Sequence, residues 1–150
     1  MITTTTQPLT ILLAEDDEGH ATLILRNLKR AGIANAVVRA KDGQEALDFV
    51  RREGAFSGRK PDGPLLLLLD INLPRVDGVE LLRQIKQNEA TAWIPAIMLT
   101  TTDDPREIER CYKLGCGAYV TKPVGYTAFV EAINRLGLFL QIVNVPNEES

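Results

Sequence analysis

The 150 residues carry 45% hydrophobic and 25% charged side chains, which is enough apolar material for one packed domain and excludes a disordered tail protein. Seventeen Lys and Arg against twenty Asp and Glu leave a net charge of −3, so no positive field is available for nucleic acid and none is expected as a partner. No apolar run reaches the roughly 18–20 residues of a membrane span, and residues 1–8 are Thr-rich and uncharged rather than a signal peptide, so a soluble, cytoplasmic chain with no membrane partner is expected.

Residues 1–8 read as extended or disordered, and 9–141 as one domain. Leu9 to Ala14 is the first strand candidate, followed by a helix with Ala21, Ile24, Leu25, Leu28 and Ala31 on one 3.6-residue stripe and Gly32 as its stop. Ala36 to Ala40 is the second strand. The next helix opens on Asp42 with Glu45, buries Ala46, Leu47 and Val50, and stops at Gly54. Gly54 to Pro64 is a Gly- and Pro-rich connection, longer than the usual roughly two to six residues, and reads as a solvated loop or a partner contact. Leu65 to Leu69, an unbroken leucine run, should be the central strand.

Asp77 with Glu80 opens the third helix, whose buried face is Val79, Leu82 and Ile85. Ala96 to Leu99 is the fourth strand. The fourth helix starts at Asp104 as cap with Pro105 and Glu107 behind it, and stops at Gly115. Cys111 and Cys116 lie near its end without CxxC spacing and read as reduced thiols. Ala118 to Thr121 is the fifth strand, and the last helix carries Phe129, Ala132, Ile133, Leu136 and Leu140 on one stripe, with no second domain expected after it.

This strand and helix alternation predicts an α/β fold: a doubly wound, five-stranded parallel sheet with helices on both faces. In such a sheet the functional groups gather past the carboxyl ends of the strands. Glu15, Asp16 and Asp17 follow the first strand, Asp70 the third, Thr100 and Thr101 the fourth, and Lys122, before Pro123, the fifth; the second offers only Lys41 and Asp42. With the flavodoxin-like order 2-1-3-4-5, strands one and three are neighbours and Glu15, Asp16 and Asp70 converge. Their mutual repulsion calls for a hard divalent cation, and Mg²⁺ with one or two carboxylates and waters suits a site open to solvent. Lys122 and the Thr100 hydroxyl then approach from the other side as a cation and a donor for anionic oxygens. The set suits phosphoryl transfer to a carboxylate, with the central Asp70 as nucleophile and Glu15 and Asp16 left to hold the metal. Asp17 taken alone reads as the cap of the first helix.

These residues are similar to those of the response-regulator receiver domains of two-component signalling, in a form without an attached effector. The resemblance spans nearly the whole chain and is carried by ILLAEDD, LLLLLDINLPRVDG, IPAIMLTTTDD and GAYVTKPV. It implies that Asp70 is the phosphorylated aspartate, that Asp16 ligates Mg²⁺ directly and Glu15 through water, and that Asn72 contributes its backbone carbonyl. It further implies that Thr100 moves to the phosphoryl group, that Tyr119 swings inward with it, and that Lys122 pairs with the phosphate. The new charge then biases the fourth helix, fifth strand and fifth helix by population shift. A phosphorelay receiver of this kind is not an enzyme beyond self-phosphorylation from a donor and autodephosphorylation.

The resemblance also implies a cis peptide at Lys122 to Pro123. Gly78 in PRVDG is expected to take a backbone conformation that other residues resist. Thr101 departs from the family, which usually has a small residue there, and slow dephosphorylation is expected from its bulk. The LTTT stretch, the long loop and the apolar tail look most like the single-domain regulators that partner phytochrome-type histidine kinases. His20 lies in the first helix and reads as a surface residue with no donor role, so the phosphate should come from a kinase in trans, in this narrower match a bacteriophytochrome.

Leu136, Leu138, Phe139, Leu140, Ile142, Val143 and Val145 exceed what one helix stripe can hide, so residues 142–150 are expected to serve as a homodimer arm or to fold back. Three rival functions fit less well. An aspartate-nucleophile, Mg²⁺-dependent phosphatase would need a second Asp at the position of Asn72. A flavin binder would need a Ser-, Thr- and Gly-rich phosphate loop after the first strand, where acids stand instead. A receiver-like module that binds partners without being phosphorylated would not need the complete set of groups.

Overall fold

Strands covered by helices on both faces have no polar side to present, and the leucine run obeys that rule. In the computed structural model, which describes residues 9–59, 63–101, 103–122 and 125–135 and leaves aside the side chains of Tyr126, Ile133 and Asn134, Leu65 to Asp70 is buried along its whole length. It forms β3 of a parallel sheet whose other strands are β1 (Thr10–Ala14), β2 (Val37–Ala40), β4 (Ala96–Thr100) and β5 (Ala118–Thr121). The order is β2-β1-β3-β4-β5, as the alternation predicts, with Leu12 opposite Leu67 and Asp70 opposite Leu99 in the ladders.

Five helices cover it: α1 (Glu18–Arg30), α2 (Gly43–Arg51), α3 (Gly78–Gln87), α4 (Pro105–Leu114) and α5 (Tyr126–Arg135). Strand residues alternate between two cores. Ile11, Leu13, Leu66, Leu68, Ile97 and Leu99 pack with Ala21, Ile24 and Leu28 of α1 and with Phe129 and Ala132 of α5. Leu12, Ala14, Leu67, Leu69, Ala96 and Met98 face Ala46, Leu47 and Val50 of α2, the buried stripe of α3, and Cys111 of α4. Each fully buried Leu or Ile contributes about 1.5–3 kcal/mol, so the sheet edge that carries the polar residues is anchored by both cores.

Several local details depart from the sequence reading. Leu25 is 40% exposed, so the buried stripe of α1 is narrower than its apolar pattern. Helix α2 ends at Arg52 in the left-handed conformation (φ 57°), two residues before Gly54, which begins a 3-10 turn at Gly54–Phe56. The start of the long connection is tethered: Phe56 meets Phe49 edge-on at 5.1 Å, and Arg59 stacks over the Phe49 ring at 4.2 Å. Asp104 caps α4 through the Arg106 N–H, one residue earlier than the capping-box spacing.

Gly78 does not have a positive φ; the residue that does in that turn is Arg75, at 69°. Glycine is required at 78 by close approach, because a Cβ there would lie 2.1 Å from the Asp70 carbonyl oxygen. Cys111 and Cys116 are free, buried thiols, and burial pushes them up to about 11 and about 12. Among the described residues no helix is long and apolar enough to cross a membrane. Residues 1–8, Pro123 with its peptide bond, and the apolar tail from Leu136 through Phe139, Leu140, Ile142 and Val143 to Val145 lie outside the described residues.

Candidate functional site

Because β1 and β3 are paired, the residues leaving their carboxyl ends share one edge. Oxygens of Glu15, Asp16 and Asp70 all lie within 4.8 Å of one another, the first and last buried and Asp16 exposed. Glu15 is fixed through its backbone: its N–H donates to the Ala40 carbonyl at 3.0 Å, and its carbonyl accepts from Arg39 Nε at 3.0 Å. Its Oε2 accepts the Asp17 N–H at 3.2 Å. Asp17 in turn caps α1, its carboxylate accepting the His20 N–H at 2.8 Å, so the capping reading of Asp17 holds.

Asp70 ends β3 and is 5% exposed. Burial first, and then the charge of Glu15, push its carboxyl up to about 6, against partial relief from Lys122 and the Asn72 N–H. Lys122 Nζ lies 2.5 Å from Glu15 Oε1 and 3.3 Å from Asp70 Oδ1, with its side chain only 6% exposed. The lysine is delivered by the sheet, since its backbone N–H donates to the Thr100 carbonyl at 2.6 Å and so extends the β4–β5 ladder. It stands between two carboxylates and nearer to Glu15 than to the proposed acceptor.

Thr100 is fully buried at the end of β4 and shares a side-chain hydrogen bond with Tyr119 of β5. Burial holds the Tyr119 hydroxyl above its ordinary value, and Thr100 offsets part of the rise. Tyr119 is half-buried against the core under α2, α3 and α4. Beside Thr100 a cleft of about 440 Å³ opens, lined by Asn72, Asp77, Glu80, Glu107 and Arg110 among others, and Thr101, next in the chain, is exposed.

The donor set fits a hard divalent cation. It consists of carboxylate oxygens, it keeps one of them, on Asp16, open to water, and it sets three carboxylates against the single Lys122 ammonium. Glu15, Asp16, Asp70 and Lys122 are thus brought together as their strand positions require, while Thr100 and Tyr119 form an adjoining pair.

His20 is a surface residue as expected, its side chain 46% exposed, but its contact with the site is not foreseen: Nδ1 sits 3.2 Å from Lys122 Nζ and 3.7 Å from Glu15 Oε2. The signal that could have found it is the cap itself: Asp17 fixes the start of α1 and so places the third residue after it over the acidic edge.

The chain matches the family described as response regulator receiver domain over residues 11–134. It is similar to response regulator Rcp1 of Synechocystis sp., at 32% identity over 93% of this chain and 94% of that protein. The Mn²⁺-bound crystal structure of Rcp1 superposes with a TM-score of 0.71 at 31% identity, covering 89% of this chain and 95% of that one. The bacteriophytochrome response regulator RtBRR gives a TM-score of 0.84 at 40% identity over 94% of this chain and 85% of that one. The phosphorylated cyanobacterial phytochrome response regulator RcpA gives 0.74 at 31% identity over 89% and 94%.

Proposed function

The chain belongs to the response regulator receiver domain family, whose members bind a divalent metal and act as phosphoacceptors for histidine kinases, and from that premise we propose that Asp70 is the acceptor. The observation that carries this is the position of Asp70: it is the acid on the central strand, buried, and in contact with both the acidic pair and Lys122. An Asp70 oxygen attacks the phosphorus of a phosphohistidine; the new P–O bond forms as the P–N bond breaks, and the imidazole departs with the electron pair. Asp16, Asp70, the Asn72 carbonyl and, through water, Glu15 would hold a divalent cation, Mg²⁺ in our reading, which when bound would supply positive charge for the anionic oxygens.

Lys122 then has a better partner than Glu15, because a phosphoryl group carries more charge on more acceptor oxygens than a carboxylate. Thr100 is the hydroxyl that exchanges Tyr119 for a phosphoryl oxygen. That exchange releases the Tyr119 ring and shifts the population of the α4–β5–α5 face. The likeness to RtBRR supports a bacteriophytochrome-type histidine kinase as the donor; our reading places the exchange in the cytoplasm, on a receiver with no further enzymatic activity. A homodimer joined through Leu136, Phe139, Leu140, Ile142 and Val143 is proposed from their apolar run; a chain ending at Phe139 should sediment as a monomer, and equal masses for the two lengths would remove the arm.

The test of the acceptor is incubation with acetyl phosphate and Mg²⁺ followed by intact-mass spectrometry. The wild type should gain one phosphoryl mass; the gain should be absent when EDTA precedes the donor, and absent from Asp70→Asn. Equal gain in the variant would place the phosphate elsewhere.

A further inference from the structure

Resting on the phosphoacceptor reading, we propose that His20 is a positioning residue for Lys122, keeping the ammonium over Asp70 when Glu15 is engaged by a metal. An ammonium has three donors and accepts nothing. Those of Lys122 meet Glu15 Oε1 at 2.5 Å, Asp70 Oδ1 at 3.3 Å and His20 Nδ1 at 3.2 Å. Since Lys122 only donates, a hydrogen bond between the two requires Nδ1 to present its lone pair, with the ring proton on Nε2. The backbone that carries the imidazole is itself anchored, because the Asp17 carboxylate accepts the His20 backbone N–H at 2.8 Å and the Asp17 backbone N–H donates to Glu15 Oε2 at 3.2 Å. Glu15, Asp17, His20 and Lys122 therefore close a ring of contacts around the mouth of the site.

The three acceptors differ in what a bound cation does to them. A divalent ion would take a lone pair of Asp70 directly and one of Glu15 through a bound water, whereas His20 is not a carboxylate of that set and lies on the solvent side of the cluster. With the carboxylates drawn upon by a cation, His20 is the acceptor that Lys122, whose side chain is 6% exposed, keeps; removing it as well would leave a further N–H unmet, a loss that burial makes expensive. Loss of it frees a long, flexible side chain from the point where the phosphoryl oxygens arrive, and the reaction slows.

The test uses the full chain with His20→Ala, His20→Phe and His20→Asn. Two readouts are followed: the rate of phosphoryl mass gain from acetyl phosphate in Mg²⁺, and the ¹⁵N ammonium resonance of Lys122, assigned by its absence in Lys122→Arg. His20→Ala and His20→Phe should slow the gain about tenfold, the worth of one hydrogen bond to a charged group, and lose the protected ammonium signal. His20→Asn, which keeps a side-chain acceptor, should restore the signal and most of the rate. A His20→Phe protein with wild-type rate and an unchanged ammonium resonance would overturn the proposal, because the ring would then only pack. Should the wild type itself gain no phosphoryl mass, the phosphoacceptor reading fails, and the ammonium resonance of the metal-free proteins still decides the role of His20: its loss in the Ala and Phe variants upholds the contact, its persistence refutes it.

Discussion

Replacing Asp70 by Asn should stabilise the metal-free protein. In the folded chain the Asp70 carboxyl is pushed from 3.8 up to about 6, chiefly by burial and then by Glu15. A carboxyl that holds its proton more tightly when folded opposes folding once ionised. The penalty is absent below the unfolded value near 3.8, grows as pH rises towards about 6, and is fully present above it. At about 1.36 kcal/mol per pH unit the difference corresponds to about 3 kcal/mol at neutral pH. Lys122 pairs with Asp70 as well as Glu15, and part of that attraction is lost with the charge, so a gain of about 1–3 kcal/mol is expected, or a Tm rise of about 2–4 °C per kcal/mol. Calorimetric scans in EDTA from pH 4 to pH 8 read it directly. The advantage of Asp70→Asn should vanish towards pH 4, and millimolar Mg²⁺ at neutral pH should shrink it, because binding to the native carboxylates stabilises the wild type more. A variant that melts at or below the wild type at neutral pH in EDTA, or whose advantage persists at pH 4, would refute the charge argument.

Arg52 closes α2 with a φ of 57°, so Arg52→Gly should raise stability by about 1 kcal/mol; a lower urea midpoint would show that the arginine side chain matters more than the backbone. Gly78→Ala should cost about 3 kcal/mol or more, because its Cβ would meet the Asp70 carbonyl at 2.1 Å and Ile71 Cα at 2.7 Å, backbone atoms that cannot turn aside. A wild-type melting curve for Gly78→Ala would show that the two strand ends tolerate separation. Thr101 is exposed next to the buried Thr100, and Thr101→Ala should shorten the lifetime of the phosphorylated protein by opening the path for water. Decay of the adduct at an unchanged rate would remove Thr101 from that role.

What was legible in the sequence follows from what sets each feature. Strand and helix order came through because burial on both faces forces apolar runs, and the five leucines of β3 leave no other arrangement. Helix starts were legible where a side chain is the cause, as at Asp17, Asp42 and Asp77, each of which accepts a backbone N–H three residues on. Helix ends were less so. Arg52 closes α2 because the chain must turn there to bring Phe56 and Arg59 onto Phe49, a tertiary demand that overrides the preference for glycine two residues later. Gly78 is required by close approach and not by a positive φ. Its constraint comes from Asp70 and Ile71 approaching across the turn, and such a contact between segments leaves no mark in the local pattern.

The same division runs through the site. Glu15, Asp16, Asp70, Thr100 and Lys122 could be named because a parallel sheet converts position after a strand into a place in space, and strand order alone then tells which of them meet. His20 escaped that rule because it reaches the cluster from a helix, where the arrival point depends on the cap and on the direction of one side chain. The pairing of Lys122 with Glu15, closer than with Asp70, was equally hidden: it is a contest between two carboxylates for one ammonium, decided by fractions of an ångström. Yet that contest is what makes the site responsive. A lysine committed to Asp70 alone would leave the acceptor already neutralised, whereas one shared with Glu15 and His20 leaves part of the Asp70 charge for an arriving cation and phosphoryl group.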